Sequence, residues 1–389
     1  MKILTIVGTR PEIIRLSRVI SLLDKHVNHV LVHTGQNYDY ELNEIFFQQL
    51  ELRRPNHFLN VNTSSLGSAI GDIFLKTEEV LKLEKPDALL VLGDTNSCLS
   101  AYMAKRMHIP VFHMEAGNRC YDFNVPEEVN RRIIDHIADY NLVYTEHARR
   151  HLISEGLPHR RIYLTGSPMK EVLDYYKPKI DQSDIFEQLA PLFNELGEET
   201  TNPKLKTRKY FLVSVHREEN VDNPANLRKI LTILNTLAEK YNHPVIVSTH
   251  PRTRKRLEQV TDMPVNKKVA FLKPFGFLDY VHLQQHALCT LSDSGTISEE
   301  SAILSFPAIS LRQSMERPEA QDAGTIVLTG FDLQTVLNSI DIVMTEHKDR
   351  HYHNNVADYS ITDTSWRVLK LILGLSSLSN KWHGIPEKE

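Results

Sequence analysis

Residues 88–132, ALLVLGDTNSCLSAYMAKRMHIPVFHMEAGNRCYDFNVPEEVNRR, decide the fold. Residues 88–92 are an uninterrupted apolar run, as expected of a strand buried on both faces. Gly93-Asp94-Thr95 turns the chain, and residues 96–107 carry a helical pattern. Residues 110–114 form the next apolar run, left through Glu115-Ala116-Gly117. Two parallel strands joined by a helix make a right-handed unit whose strands finish on the same edge. Asp94 and Glu115 are therefore expected at the carboxyl edge, where open α/β sheets bind ligands. Pro126-Glu127-Glu128 opens a further helix, proline being suited to its first position. Val129, Ile133, Ile134 and Ile137 predict that helix's buried stripe and leave Glu127 at its amino end. Carboxylates from three separate breaks in the chain are thus expected on one edge.

The alternation extends both ways. Residues 3–7 and 27–34 read as strands, and 13–23, 41–50 and 66–83 as helices. Downstream, 140–145 reads as a strand and 146–156 as a helix. A doubly wound parallel sheet is expected for residues 1–168. Residues 169–209 are polar and proline-bearing, which predicts a linker and surface excursion with a short helix near 185–196. Strands at 210–215, 245–248, 269–272, 289–292 and 308–311 then alternate with helices at 223–241, 278–287 and 296–304. They predict a second doubly wound domain over 210–363. The remaining 364–389 holds a helix expected to pack back across the first domain, and a tail. Two such domains facing a cleft are a usual ligand location.

Composition narrows the function. A chain of 389 residues exceeds one ordinary core, so two domains are the default. The net charge of −4, with no basic run, argues against a nucleic-acid partner. Cys98, Cys120 and Cys289 suggest neither a disulfide framework nor a zinc site. No apolar run is long enough for a membrane span, and the amino-terminal one is too short for a signal peptide. A cytoplasmic protein without a membrane partner is expected.

Several strand exits carry usable chemistry. Gly8-Thr9-Arg10-Pro11-Glu12 opens a helix whose free N–H groups favour an anion, and Arg10 is suited to clamp a phosphate. The alternative is a plain turn with a solvated arginine. Ser292-Asp293-Ser294-Gly295-Thr296 ends a strand with small residues that admit a phosphate, and Glu299 and Glu300 follow one turn later. Those acids suit the helix dipole equally well. His216, beside Arg217, leaves the second domain's first strand, and His250-Pro251-Arg252 leaves the following one. Arg312, Glu316 and Arg317 follow another strand end. G-x-G-x-x-G, P-loop, C-x-x-C and H-E-x-x-H patterns are all missing, so no cofactor or metal is expected.

The strings GTRPE at 8–12, TGQ at 34–36, GDT at 93–95, EAG at 115–117, PEE at 126–128, HRE at 216–218, DSG at 293–295 and ERPE at 316–319 run in this order. Together they resemble the non-hydrolysing UDP-N-acetylglucosamine 2-epimerase family over about residues 1–370. The resemblance implies two Rossmann-like domains arranged as in GT-B glycosyltransferases, a UDP-sugar substrate and a homodimer. It implies that Asp94, Glu115 and Glu127 are acid/base groups and that His216 lies near the diphosphate. By the same carry-over Arg10, Ser294, Gly295, Glu300 and Arg317 hold UDP, Tyr280 lies near uracil, and Arg15 contacts substrate. Gln36 and Thr296 complete the expected substrate-binding set.

Arg15 stands where the N-acetylglucosamine enzymes usually carry lysine. Asn37-Tyr38-Asp39 follows TGQ, Asn118 follows EAG, and Val125 precedes PEE. The strings GTRPEIIRLS, TGQNYDYELN, HMEAGNRC and HREEN look like the branch that makes UDP-N-acetyl-L-fucosamine for capsule or O-antigen. That branch inverts carbon 2 of UDP-2-acetamido-2,6-dideoxy-L-talose. The same reaction on UDP-N-acetylglucosamine, a GT-B glycosyltransferase and a non-catalytic UDP-sugar binding protein are the alternatives.

Overall fold

The computed structural model describes residues 1–35, 47–197, 209–349 and 356–385. Gln36 and the Asn37-Tyr38-Asp39 string lie outside the described residues. The chain divides into two compact units, Met1–Asp174 with Asp358–Glu389, and Tyr175–Ala357.

In the first unit the apolar runs become parallel strands β1 (Lys2–Val7), β2 (Asn28–His33), β3 (His57–Phe58), β4 (Ala88–Leu92), β5 (Val111–Ala116), β6 (Tyr140–Val143) and β7 (Ile162–Leu164). They pair in the order β3-β2-β1-β4-β5-β6-β7. Every residue of β4 and β5 is buried, because helices cover both faces of the sheet. The second unit holds β8 (Phe211–Ser214), β9 (Val245–Ser248), β10 (Val269–Leu272), β11 (Cys289–Ser292), β12 (Ala308–Ser310) and β13 (Val327–Leu328). These are also all parallel, in the order β10-β9-β8-β11-β12-β13. Each sheet reverses its strand order once, between β1 and β4 and between β8 and β11. Two such reversals create two edge positions of the kind that bind ligands.

Local chemistry sets the helix ends. The Pro224–Tyr241 helix starts at Asn223, whose side chain accepts from the Ala225 and Asn226 N–H groups, and stops at Asn242 in the left-handed region. Its buried Ile230, Leu231, Leu234, Leu237 and Ala238 follow helical spacing and join the core over β8 and β9. Each large apolar side chain so buried contributes about 1.5–3 kcal/mol.

Three expectations change. The stretch 169–209 is mainly helical where described, not a linker. Its Pro168–Asp181 helix runs through the boundary between the units, with Pro178 inside it. Ile185, Phe186, Phe193 and Leu196 then pack with Tyr210, Leu212 and Leu283 of the second unit, which makes this segment part of that unit's wall. The helix expected over 96–107 is a 3-10 turn, Asn96–Leu99, followed by Ser100–Arg106.

The third change concerns the Pro126–Ile137 helix, which turns its charged face inward. Val129 and Ile133 are 47% and 41% exposed, whereas Glu128 and Asp135 are fully buried and Arg131 nearly so. Ile134 alone of the expected stripe is fully buried. The charged face wins because buried partners await it, as the site shows.

The Thr364–Trp382 helix belongs to the first unit. The Thr364 hydroxyl donates to the Thr165 and Ser167 carbonyls at 3.1 and 3.2 Å, and the Asn380 amide donates to the His108 carbonyl at 3.0 Å. Among the described residues no helix is long and apolar enough to cross a membrane.

Candidate active site

The β1 exit is closed by Glu12. Its carboxylate is buried, and one oxygen accepts from the Gly8 N–H and, at 3.1 Å, the Thr9 N–H. The other accepts from the Thr95 hydroxyl and, at 2.8 Å, the Ser97 hydroxyl on the β4 exit. Gly8 must be glycine here, since a Cβ would lie 2.5 Å from Thr34 Oγ1 and 2.9 Å from Ser97 Cβ. Burial pushes the Glu12 carboxyl up to about 7, against the opposing effect of its hydrogen bonds. Two N–H groups expected to serve an anion are therefore already taken by the chain's own carboxylate. Arg10, half-buried, is the first residue of the Arg10–His26 helix.

Glu115, one residue before the end of β5, is left-handed with φ 66°, where the pairing with β6 shifts register between Met114 and Ala116. A left-handed glutamate in a bulge is strained backbone, and such strain gathers at functional positions. The bulge aims the carboxylate at Arg15, whose Nη1 lies 2.9 Å from Glu115 Oε2, both groups being buried. Asn118 donates to Glu115 Oε1 at 3.4 Å, and the Tyr144 hydroxyl to Oε2 at 3.5 Å.

Asp94, on the β4 exit, is bound by Arg131, whose Nε and Nη2 lie 3.0 and 2.7 Å from Oδ2. The third Arg131 nitrogen lies 3.2 Å from Glu128. Glu128 also receives the Cys120 N–H and Arg132. Burial works to raise its pKa, but these donors outweigh burial and hold it below the usual carboxylate range. Glu127, the neighbour expected to act, is half-buried at the helix start and makes no hydrogen bond or ion pair among the described residues. Asp135 anchors the same helix, accepting from Arg119 at 2.6 Å and from the Gly117 N–H at 3.2 Å. His113 Nδ1 lies 3.0 Å from Asp135, while Nε2 donates to the Gly93 carbonyl at 2.8 Å. The GDT and EAG turns are thereby tied together from beneath.

In the second unit, Asp293 is fully buried at the β11 exit and organises the β8 exit. It accepts from the His216 N–H at 3.1 Å, the Arg217 N–H at 3.0 Å and the Asn220 amide at 2.8 Å. The His216 ring is 44% exposed, its Nδ1 3.4 Å from Asp293. Ser294 and Thr296 hydroxyls are 3.0 Å apart. A Cβ at Gly295 would lie 2.4 Å from Glu316 Oε1 and would force that side chain to move. Arg317 donates to the Gly295 carbonyl at 2.7 Å, and Arg312 pairs with Glu316 at 2.5 Å. Glu300 is buried and accepts from Gln284 at 2.7 Å. Burial, with Glu300 nearby, raises the Tyr280 phenol, and its hydroxyl bonds to Ser214 and Ser292 at the reversal. His250 caps the Pro251–Leu257 helix, and Arg252 pairs with Asp222.

Asp94, Glu115, Arg10 and Arg15 thus gather around the first reversal, with Glu127 in the first turn of the helix that Arg131 ties to Asp94, and His216, Tyr280, Ser294, Gly295, Thr296, Glu300 and Arg317 gather around the second. Glu12, Glu128, Arg131 and Asp135 escape a reading by apolar periodicity. Thr9-x-x-Glu12 is a capping-box pattern, and Glu128, Arg131 and Asp135 recur at helical spacing. Both signals are visible once charge is searched as periodically as hydrophobicity.

The profile of the family described as UDP-N-acetylglucosamine 2-epimerase matches residues 22–373. A UDP-N-acetylglucosamine 2-epimerase structure from Rickettsia bellii is 47% identical, covers 98% of each chain and superposes with TM-score 0.87. The Methanocaldococcus jannaschii UDP-GlcNAc 2-epimerase, solved with UDP-GlcNAc and UDP, is 33% identical with TM-score 0.86, covering 96% of this chain and 100% of that one. The UDP-2,3-diacetamido-2,3-dideoxy-D-glucuronate 2-epimerase of Pseudomonas aeruginosa is 31% identical over 87% of this chain and 91% of its own. The parallel α/β domains of this chain are those of the GT-B-like epimerase structures, and the chain belongs to the UDP-N-acetylglucosamine 2-epimerase family of UDP-sugar isomerases.

Proposed function

We propose that this UDP-sugar 2-epimerase inverts carbon 2 of UDP-2-acetamido-2,6-dideoxy-L-talose, giving UDP-N-acetyl-L-fucosamine for a bacterial surface polysaccharide. The observation that carries the reading is Arg15. A lysine is usual at this position in the N-acetylglucosamine enzymes, and the Arg15 guanidinium is buried against Glu115 at 2.9 Å. Arginine and lysine are not interchangeable in a buried pair, so the sugar pocket differs in shape and donor pattern.

The chemistry follows from the substrate. Carbon 2 bears a hydrogen with no adjacent ketone, so its removal needs a departing group at carbon 1. A carboxylate takes the proton, the carbon 1–oxygen bond breaks with its electron pair going to UDP, and a carbon 1–carbon 2 double bond forms. UDP then re-adds at carbon 1 while an acid delivers a proton to the opposite face of carbon 2. Asp94, Glu115 and Glu127 supply the base and acid. His216, Arg10 and Arg317 stabilise the diphosphate as it leaves. Ser294, Gly295, Thr296, Glu300 and Tyr280 hold the nucleotide. The functional unit is a homodimer. Its support is the outward face of the Pro126–Ile137 helix, where Val129 and Ile133 join Tyr121 and Phe123, 63% and 69% exposed.

The second reading, epimerisation of UDP-N-acetylglucosamine, is favoured by the names of relatives such as the Rickettsia bellii protein. Proton NMR in heavy water separates the two. Deuterium entering carbon 2 of the deoxy-talose sugar, with appearance of the fuco product, is the expected result. Exchange confined to UDP-N-acetylglucosamine would replace the substrate and keep the mechanism.

A further inference from the structure

The reversal between β1 and β4 brings together two turns that the reaction uses separately. One opens the Arg10–His26 helix, and the other carries Asp94. The buried side chain of Glu12, in the first turn of that helix, touches both. One of its oxygens holds the Gly8 and Thr9 N–H groups, and the other holds the Thr95 and Ser97 hydroxyls, themselves 2.7 Å apart. No cation is paired with it in any of these contacts. Its reach decides the spacing of the two turns, because the backbone donors cannot reorient and the hydroxyls are fixed within one turn of Asp94.

We propose that Glu12 is a positioning residue that sets Asp94 against the Arg10 turn, and that its length, rather than its negative charge, performs this task. The proposal rests on the epimerase reading above. Glutamine has the same length. Its carbonyl oxygen can take the Gly8 and Thr9 N–H groups while its NH2 faces Thr95 and Ser97, whose hydroxyls accept as readily as they donate. Aspartate keeps the charge but is one methylene short and cannot hold both turns. A displacement of about 1 Å at a reacting group costs on the order of a hundredfold in rate. Ser97 offers an independent handle, being buried and bonded to Glu12, Thr95 and Cys98 Sγ.

The test is steady-state kinetics of the full chain and its E12Q, E12D and S97A variants on whichever UDP-sugar the wild type turns over, with thermal unfolding of each. The expected order of kcat is wild type, E12Q, E12D, with E12D lowered by about tenfold to a hundredfold and KM moving less than kcat. A role in fold stability alone would lower the unfolding temperature of E12D without changing kcat per folded molecule. A folded E12D with wild-type kcat, or an E12Q slower than E12D, would overturn the assignment. If E12D does not fold, S97A decides, a lowered kcat supporting the tether and an unchanged kcat overturning it. Wild-type protein silent on every UDP-sugar would overturn the epimerase reading and this proposal with it, an outcome distinct from active wild type with unaltered variants.

Discussion

At the reversal between β1 and β4, a glutamate inside the following helix reaches back to bind two turns. At the reversal between β8 and β11, an aspartate at the end of its own strand does the same. The topology poses one problem twice, since two parallel strands finish side by side and their exit loops are held together by a buried carboxylate. The difference lies in the donors. Glu12 faces two N–H groups and two hydroxyls, whereas Asp293 faces only N–H groups, from His216, Arg217 and Asn220. Hydroxyls can turn around when a proton arrives and N–H groups cannot. The first reversal therefore accepts changes of protonation, in keeping with its surrounding Asp94 and Glu115. The second is a fixed frame that presents cations, with Arg317 on the Gly295 carbonyl and Arg312 on Glu316.

This contrast breaks most visibly in turnover. Glu115→Gln, at the first reversal, is expected to lower kcat by about 10²–10⁴ with a small change in KM. A loss of substrate affinity alone would move Glu115 from chemistry to binding. Next in size is a pH effect on stability. The Glu12 carboxyl, raised from an ordinary 4.5 to about 7, binds its proton more tightly in the folded state. Its contribution is complete below about pH 4.5 and is lost as pH rises through 7, about 3 kcal/mol in all. Urea titrations of wild type and E12Q between pH 4.5 and 8 should show this slope only in the wild type.

The second reversal should answer differently. Arg317→Ala is expected to raise KM for the UDP-sugar by about tenfold to a hundredfold, the loss of one or two charge-assisted hydrogen bonds. A fall confined to kcat would erase the contrast. Asp293→Asn presents an NH2 to an N–H donor, so the folded state should lose about 1–3 kcal/mol with no pH slope of its own, measured by urea midpoint. The smallest effect on turnover is expected outside both reversals. Ile133→Asp is expected to turn the proposed homodimer into a monomer by light scattering, and an unchanged mass would remove that helix face from the proposal.

Much of this was legible in the residues. Buried strands announce themselves as short apolar runs, and the strand-exit rule brings out Asp94, Glu115, His216 and Ser294 before any coordinate. The Pro126–Ile137 helix was not legible in the same way. Val129 and Ile133 are spaced to share one face, but so are Glu128, Arg131 and Asp135. The inward face is chosen by Asp94, His113, Arg119 and the Cys120 N–H, none of which lies in that helix. Hydrophobic spacing fails where a buried charge has its partners waiting. The segment 169–209 misleads for another reason. Pro168 and Pro191 stand at the starts of the Pro168–Asp181 and Ala190–Glu195 helices, where proline is favourable, so the residue that suggests a break marks a beginning.

The Thr364–Trp382 helix has a consequence for the order of assembly during synthesis. The second unit is one continuous stretch, Tyr175–Ala357, so a nascent chain can finish it before the Thr364–Trp382 helix leaves the ribosome. The first unit begins earlier and ends later. Its flank stays uncovered until Thr364 can bond to Thr165 and Ser167, and Asn380 to His108. The half of the molecule that emerges first is therefore the half whose last packing contacts form only after the second unit has been made.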